Sequence, residues 1–143
     1  MKRTTLSLLA ALTLGSLLPL AACADDLQAL TGKWVADRKD DQGRAFKQIL
    51  EIKQDKFTFK ILRDGDELAL YAKGEVKAEQ AGPFKVAKFF KIEGGRSADD
   101  LQPVDDDRSV IYILNGNELT TAVNFDKERE EPPTLTKYKK SSS

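Results

Sequence analysis

Eight short runs with strand character, several of which alternate apolar and polar side chains, constrain the fold of this chain more than any other feature. In the third run, Phe57, Phe59 and Ile61 alternate with polar residues. A period of two is the repeat of a β-strand with one buried and one solvated face. The pattern therefore predicts eight strands, at residues 33–38, 45–53, 56–62, 67–78, 84–93, 109–114, 118–125 and 135–139.

Tight turns separate several of these runs. Asp64-Gly65 and Asn115-Gly116 supply the positive φ angles of two-residue hairpins, and Gln54-Asp55 leaves room only for a sharp reversal. Consecutive strands joined in this way run antiparallel, and eight of them can close so that no sheet edge is exposed. We predict an all-β fold, an eight-stranded antiparallel up-and-down barrel.

The N-terminus has the three parts of an export signal. Lys2 and Arg3 form a basic start, residues 6–20 are apolar, and Ala22-Cys23-Ala24 has the small residues of a cleavage site. These features predict an exported protein. Its expected organisation is a signal peptide at residues 1–24, a barrel domain at 25–140 and a disordered tail at 141–143.

Two processing routes are open at Cys23. Leu20-Ala21-Ala22-Cys23 has the form of a lipobox, in which the signal ends at residue 22 and Cys23 carries a lipid that anchors the protein at an outer membrane. Alternatively, an ordinary signal peptidase cuts after Ala24 and releases a soluble periplasmic domain. Cys23 is the single cysteine, so neither route allows an intramolecular disulfide.

Composition argues against several classes of function. Without the basic residues of the signal, 21 Lys and Arg remain against 23 Asp and Glu, a net charge of −2 that disfavours nucleic acid as a partner. The chain has no histidine, which excludes Ser-His-Asp catalysis and a histidine-bound zinc. The acidic residues of the loop at 94–108 do not follow the alternating spacing of a Ca²⁺ loop. We therefore expect no enzyme activity, no cofactor and no metal.

The first strand opens with Gly32-Lys33-Trp34, preceded by Leu27-Gln28. Together with the later stretch at residues 111–120, this opening resembles the lipocalin-like, or calycin, family, in particular small exported bacterial members that are mostly uncharacterised. The resemblance implies that Gly32 and Trp34 form a structural plug at one end of the barrel. The usual final arginine that stacks on the tryptophan is missing, and Lys137 or Lys139 is expected in its place.

The inward residues decide whether such a barrel is filled or hollow. Five Phe rings expected inside favour a packed core, whereas Ala72 and Gly74 favour space, and the balance favours packing. If a cavity exists, a ligand would contact inward apolar residues and the polar residues that interrupt them. The candidate ligand-binding residues are Gln48, Phe57, Phe59, Leu70, Lys88, Phe90, Tyr112 and Thr121.

Lys88 is the most informative of these candidates. Pointing inward between Val86 and Phe90, it would hold a ligand carboxylate. A bulge near Lys88, or a side chain that reaches out to the barrel mouth, would instead make it an ordinary surface lysine.

Two functions follow from the sequence. The first is a non-enzymatic exported protein that binds a small apolar or amphipathic molecule in the barrel. The alternative is an envelope protein-interaction or inhibitor module that acts through the loops at residues 94–108 and 126–134.

Overall fold

The computed structural model describes residues 20–142, with side chains from residue 25 onward. Of the signal peptide predicted at residues 1–24, residues 1–19 lie outside this range, and the Cys23 side chain predicted as a lipidation site is also outside the described part. The elements are α1 (Leu20–Ala29), β1 (Gly32–Lys39), β2 (Ala45–Lys53), β3 (Lys56–Arg63), β4 (Glu67–Ala81), β5 (Phe84–Gly95), β6 (Leu101–Val104), β7 (Arg108–Asn115), β8 (Glu118–Val123) and β9 (Thr134–Ser141).

Eight of these strands form a closed antiparallel barrel, which confirms the predicted fold class. Each strand pairs with its neighbour in the chain, β1 also pairs with β9, and the β4–β5 pairing completes the closure. The extra strand β6 pairs with β5 inside the predicted loop at residues 94–108. Positive φ angles at Gln54, Gly65 and Gly116 confirm the tight turns expected at these positions.

The end of the barrel where β1 begins is closed by Trp34. Its side chain is fully buried, and the indole Nε1 donates a hydrogen bond of 2.9 Å to the carbonyl oxygen of Leu30. The Nζ atom of Lys140 lies 5.4 Å from the ring centroid. The expectation of Lys137 or Lys139 at this position is wrong, because side chains alternate along β9 and only the set containing Tyr138 and Lys140 faces Trp34.

Gly32 is needed beside this plug. Its φ is +138°, and a Cβ atom there would stand 2.8 Å from Cε of Lys140. An L-residue at this position would be strained and would also displace the lysine from the indole.

The helix α1 crosses the predicted cleavage junction. Leu27 packs against the core, and Asp26 forms an ion pair of 2.9 Å with Lys85 of β5. Within residues 20–142, no helix is both long and apolar enough to cross a membrane. At the other terminus, β9 extends through Ser141, one residue into the segment predicted as a tail.

A bulge in β5 changes which of its side chains point inward. Gly74 of β4 faces both Lys91 and Ile92, and Lys91 has a φ of +50°. Before the bulge, Ala87 and Phe89 face the interior; after it, the inward set begins with Ile92. The extra residue therefore switches the alternation by one position.

The inward placement predicted for Lys88 and Phe90 is accordingly wrong. Lys88 lies on the outer face, where its Nζ is 3.9 Å from a carboxylate oxygen of Asp107. Phe90 also lies outside, with Nζ of Lys77 5.3 Å from its ring centroid. The alternative, in which a nearby bulge makes Lys88 an ordinary surface lysine, is the one that the structure shows.

Candidate functional site: the barrel cavity and its mouth

The barrel is hollow, contrary to the expectation of a packed core. Its cavity of about 1060 Å³ is bounded below by Leu30 and opens at the end where β1 finishes. Two of the five Phe rings expected to fill the interior, Phe84 and Phe90, lie outside. Small inward residues, among them Ala72 and Ala87, leave the space empty of protein atoms.

Six of the eight predicted site residues line this cavity. Lys88 and Phe90 do not, because of the bulge in β5. The structure brings together Gln48, Phe57, Phe59, Leu70, Tyr112 and Thr121.

The lower part of the cavity is apolar. Leu50, Ile52 and Phe57 are buried, and the rings of Phe57 and Phe89 meet edge to face, with centroids 4.8 Å apart and planes at 81°. Such a pair contributes beyond the area that it buries and holds both rings in place. This region offers a ligand dispersion contacts and no charge.

A belt of polar side chains lies above this apolar floor. Arg38 donates a hydrogen bond of 2.9 Å from Nη1 to Oγ1 of Thr136, and the hydroxyl of Thr121 donates one of 3.5 Å to the Thr136 carbonyl. On the same side, the Tyr138 hydroxyl donates to Oε1 of Gln48 at 3.3 Å. Burial raises the pKa of Tyr138 to about 12, so its hydroxyl stays a neutral donor.

Three of these belt residues were missed in the sequence. Arg38 follows Trp34 and Ala36 on the inward face of β1, and Thr136 precedes Tyr138 on the inward face of β9. Period two alone marks these positions as inward. Arg38 was not among the predicted site residues because an arginine at the end of a strand usually points to solvent.

The loop at residues 124–133 covers one side of the mouth and is held there by Arg129. The guanidinium forms a fork on Asp126, with Nε and Nη2 each 3.0 Å from a carboxylate oxygen. Its Nη1 also donates to Asp106 at 2.7 Å, and Lys127 contacts the same carboxylate. Asp126 in turn accepts the Ser109 backbone N–H at 3.0 Å.

Asp106 reaches the mouth because of a strand interruption. Between the pairs Ile92–Val104 and Phe89–Arg108, two residues of β5 face the three residues 105–107. This irregularity turns the central aspartate toward the cavity. We call Asp106, Asp126, Lys127 and Arg129 the mouth clasp.

Charge pairing in the mouth clasp shifts the acid pKa values downward. Hydrogen bonds from Lys127 and then Arg129 lower the pKa of Asp106 to about 2. Burial alone would raise the pKa of Asp126, but the hydrogen bonds from Arg129 and the Ser109 backbone outweigh it, and the pKa falls below its ordinary value. Both carboxylates of the mouth clasp are therefore ionised at neutral pH.

The chain matches no family model, no curated protein and no solved structure. The likeness to lipocalin-like proteins accordingly remains a resemblance. Among the side chains that the structure describes, no group of three or more Cys, Asp or Glu residues is placed to hold a metal ion.

Proposed function

We propose that this protein is a non-enzymatic binding protein that takes up one small amphipathic molecule in its barrel. The hollow interior carries this proposal, because its apolar floor, polar belt and open mouth are arranged along one axis. A cavity of about 1060 Å³ is at the upper end of the size range of small-molecule sites. A ligand with one apolar and one polar end would match this arrangement.

Apolar burial supplies the main driving force in this proposal. Removing apolar ligand surface from water is worth roughly 25 cal/mol per Å², and the floor offers aromatic and branched side chains as the new surroundings. The belt then fixes the orientation of the bound molecule, since a polar ligand end placed among Leu50, Ile52 and Phe57 would lose its hydrogen bonds with water.

The alternative, an interaction or inhibitor module acting through residues 94–108 and 126–134, has less support. Both loops contribute side chains to the cavity lining, and Arg129 ties them together through Asp106. Loops that are tied together in this way fit the rim of a pocket better than a surface that binds a protein partner.

We also propose that the protein acts outside the cytoplasm, on the basis of the signal-like N-terminal segment. Lipidation at Cys23 and cleavage after Ala24 both leave Asp26, Leu27 and Leu30 in the mature chain, so the contacts of these residues with the barrel are kept. The intact mass of the mature protein distinguishes the two routes. A mass that retains residues 1–22 would contradict export by either route.

A fluorescence titration with Nile red, a neutral lipophilic dye, tests binding in the barrel. We expect saturable binding of one dye per chain, with circular dichroism unchanged. Ala72→Phe places a ring inside the cavity and should weaken binding by roughly tenfold or more. The matched control is Ala122→Phe, on the strand β8, where Ala122 alternates with inward-facing Thr121 and points outward.

Equal loss of dye binding in both Phe variants would contradict a site in the barrel. Dye binding that appears only when the near-ultraviolet circular dichroism signal is lost would also contradict it, because that pattern reports unfolding.

A further inference from the structure

We propose that the ligand carries an acidic headgroup and that Arg38 is the residue that binds it. This inference rests on the proposed function and narrows it from amphipathic molecules in general to carboxylates and related anions. It is carried by an arginine on the cavity wall whose charge has no carboxylate partner among the described side chains.

The ion pairs of the described residues do not include Arg38. Arg108 and Arg129, which also line the cavity, are both paired with Asp106. A cation that is partly withdrawn from water costs free energy unless an anion compensates it. A ligand carboxylate would supply that compensation at Arg38.

The geometry around Arg38 leaves donors available for such a headgroup. Its hydrogen bond to Oγ1 of Thr136, 2.9 Å long, uses Nη1 alone. A guanidinium has five N–H donors in a planar fork that matches the two oxygens of a carboxylate. The bond to Thr136 holds the guanidinium against β9 and so limits the entropy lost when a ligand binds.

The mouth above Arg38 adds little selection of its own. Its basic side chains Arg108, Lys127 and Arg129 are offset by acids, in particular by Asp106 and Asp126. Arg96 also lines the cavity without an ion pair among the described side chains, but it is exposed, whereas Arg38 is half-buried. Arg38 is therefore the cation on the cavity wall that we expect to distinguish an acidic from a neutral headgroup.

The position of Arg38 also orients the ligand. Arg38 lies four residues from Trp34 on the same face of β1, which corresponds to about 13 Å along the strand. An apolar tail would extend from the headgroup toward the floor at Leu30 and Trp34. The headgroup would stay on the mouth side.

Calorimetric titration of the full-length chain with decanoate, decanol and decylamine, each below its micelle concentration, tests the inference. These probes share a tail and differ in the headgroup. We expect decanoate to bind roughly ten- to hundredfold more tightly than decanol, because only the carboxylate brings a compensating charge and two oxygens for the guanidinium fork. Decylamine should bind most weakly.

Arg38→Gln should remove the preference for decanoate, so that decanoate and decanol bind this variant with similar affinities. The matched control is Arg63→Gln, which removes the same charge from an exposed strand end away from the cavity. Arg38→Lys keeps the charge without the fork and should retain part of the preference. The wild-type series needs no variant, so it stands even where a substitution impairs folding.

Equal affinities for decanoate and decanol in the wild type would overturn the assignment while leaving the binding function intact. Loss of the preference in Arg96→Gln but not in Arg38→Gln would overturn it as well, by moving the anion to the mouth. Binding of none of the three probes would count against the proposed function itself.

Discussion

Two residues on the inward face of β1 show how position along a strand separates structural from binding roles. Trp34 is fully buried and hydrogen-bonded to the Leu30 carbonyl, whereas Arg38 lies nearer the mouth and faces the cavity. Both follow from the same two-residue alternation. The two residues differ in their depth inside the barrel. That depth can be predicted from the sequence only after Gly32-Lys33-Trp34 has been recognised as the floor of the barrel.

Asp106 provides a residue-scale prediction about pH. Its folded pKa of about 2 is below its ordinary value of 3.8, so its ion pairs stabilise the folded state fully above about pH 4. This stabilisation is lost as the pH falls toward 2. The Asp106 side chain is 21% exposed, so solvent screens part of its charge pairing. We therefore expect Asp106→Asn to lower the free energy of unfolding at pH 7 by roughly 1–2 kcal/mol.

Urea denaturation at a series of pH values checks this prediction, with Asp105→Asn at an exposed neighbouring position as the control. The difference between the wild type and Asp106→Asn should shrink to near zero at the acid end of the series. A difference that stays constant with pH would show that Asp106 does not act through its charge.

At the scale of elements, the bulge in β5 determines which side chains enter the barrel. It places Phe89 inside and Phe90 outside, and it depends on Gly74 in the facing strand. A Cβ atom at Gly74 would lie 2.7 Å from the Phe90 carbonyl oxygen and 2.9 Å from that of Lys91. The Phe57 ring, with Cε1 2.9 Å from the same position, closes the remaining space around the added carbon.

Gly74→Ala is therefore expected to lower the free energy of unfolding by about 2 kcal/mol or more. Gly94→Ala is the matched control on β5, because its Cβ would make an ordinary contact of 3.5 Å with Val104. That substitution should change stability by no more than about 1 kcal/mol. Equal effects in urea denaturation would show that the bulge does not require the glycine.

A second prediction at this scale concerns how the mouth clasp holds the loop at residues 124–133. The Arg129 side chain is 9% exposed and bonds both Asp126 and Asp106. Arg129→Gln should remove most of these bonds and speed amide hydrogen exchange in residues 124–133 several-fold. Exchange in the hairpin at 115–118, at the opposite end of the barrel, serves as the internal control. Unchanged rates at 124–133 would mean that backbone contacts hold this loop instead.

For the whole molecule, alternation and turn chemistry were sufficient to predict the closed barrel. Strand register in a meander follows from short hairpins, and the turns at Gly65 and Gly116 carry their own signals. The inside of the barrel was harder to predict. A bulge at Lys91 and a strand interruption at residues 105–107 depend on tertiary pairing, and together they moved Lys88 outward and brought Asp106 to the mouth.

The cavity itself could not be deduced from volumes in the sequence. Counting five inward Phe rings favoured a packed interior. Of those five, Phe46, Phe84 and Phe90 do not line the cavity and Phe89 is the one ring added, so the inward residues do not fill an eight-stranded barrel.

The central claim is that a ligand enters this barrel, and chemical-shift mapping tests it most directly. In a ¹⁵N-labelled chain titrated with decanoate, we predict the largest amide shifts at inward positions such as Thr121 and Thr136. The exposed apolar residues Ile113 and Leu135, on the outer face of the same sheet, should stay nearly unchanged. Shifts concentrated at Ile113 and Leu135 would instead place the bound molecule on the outer surface and contradict the account.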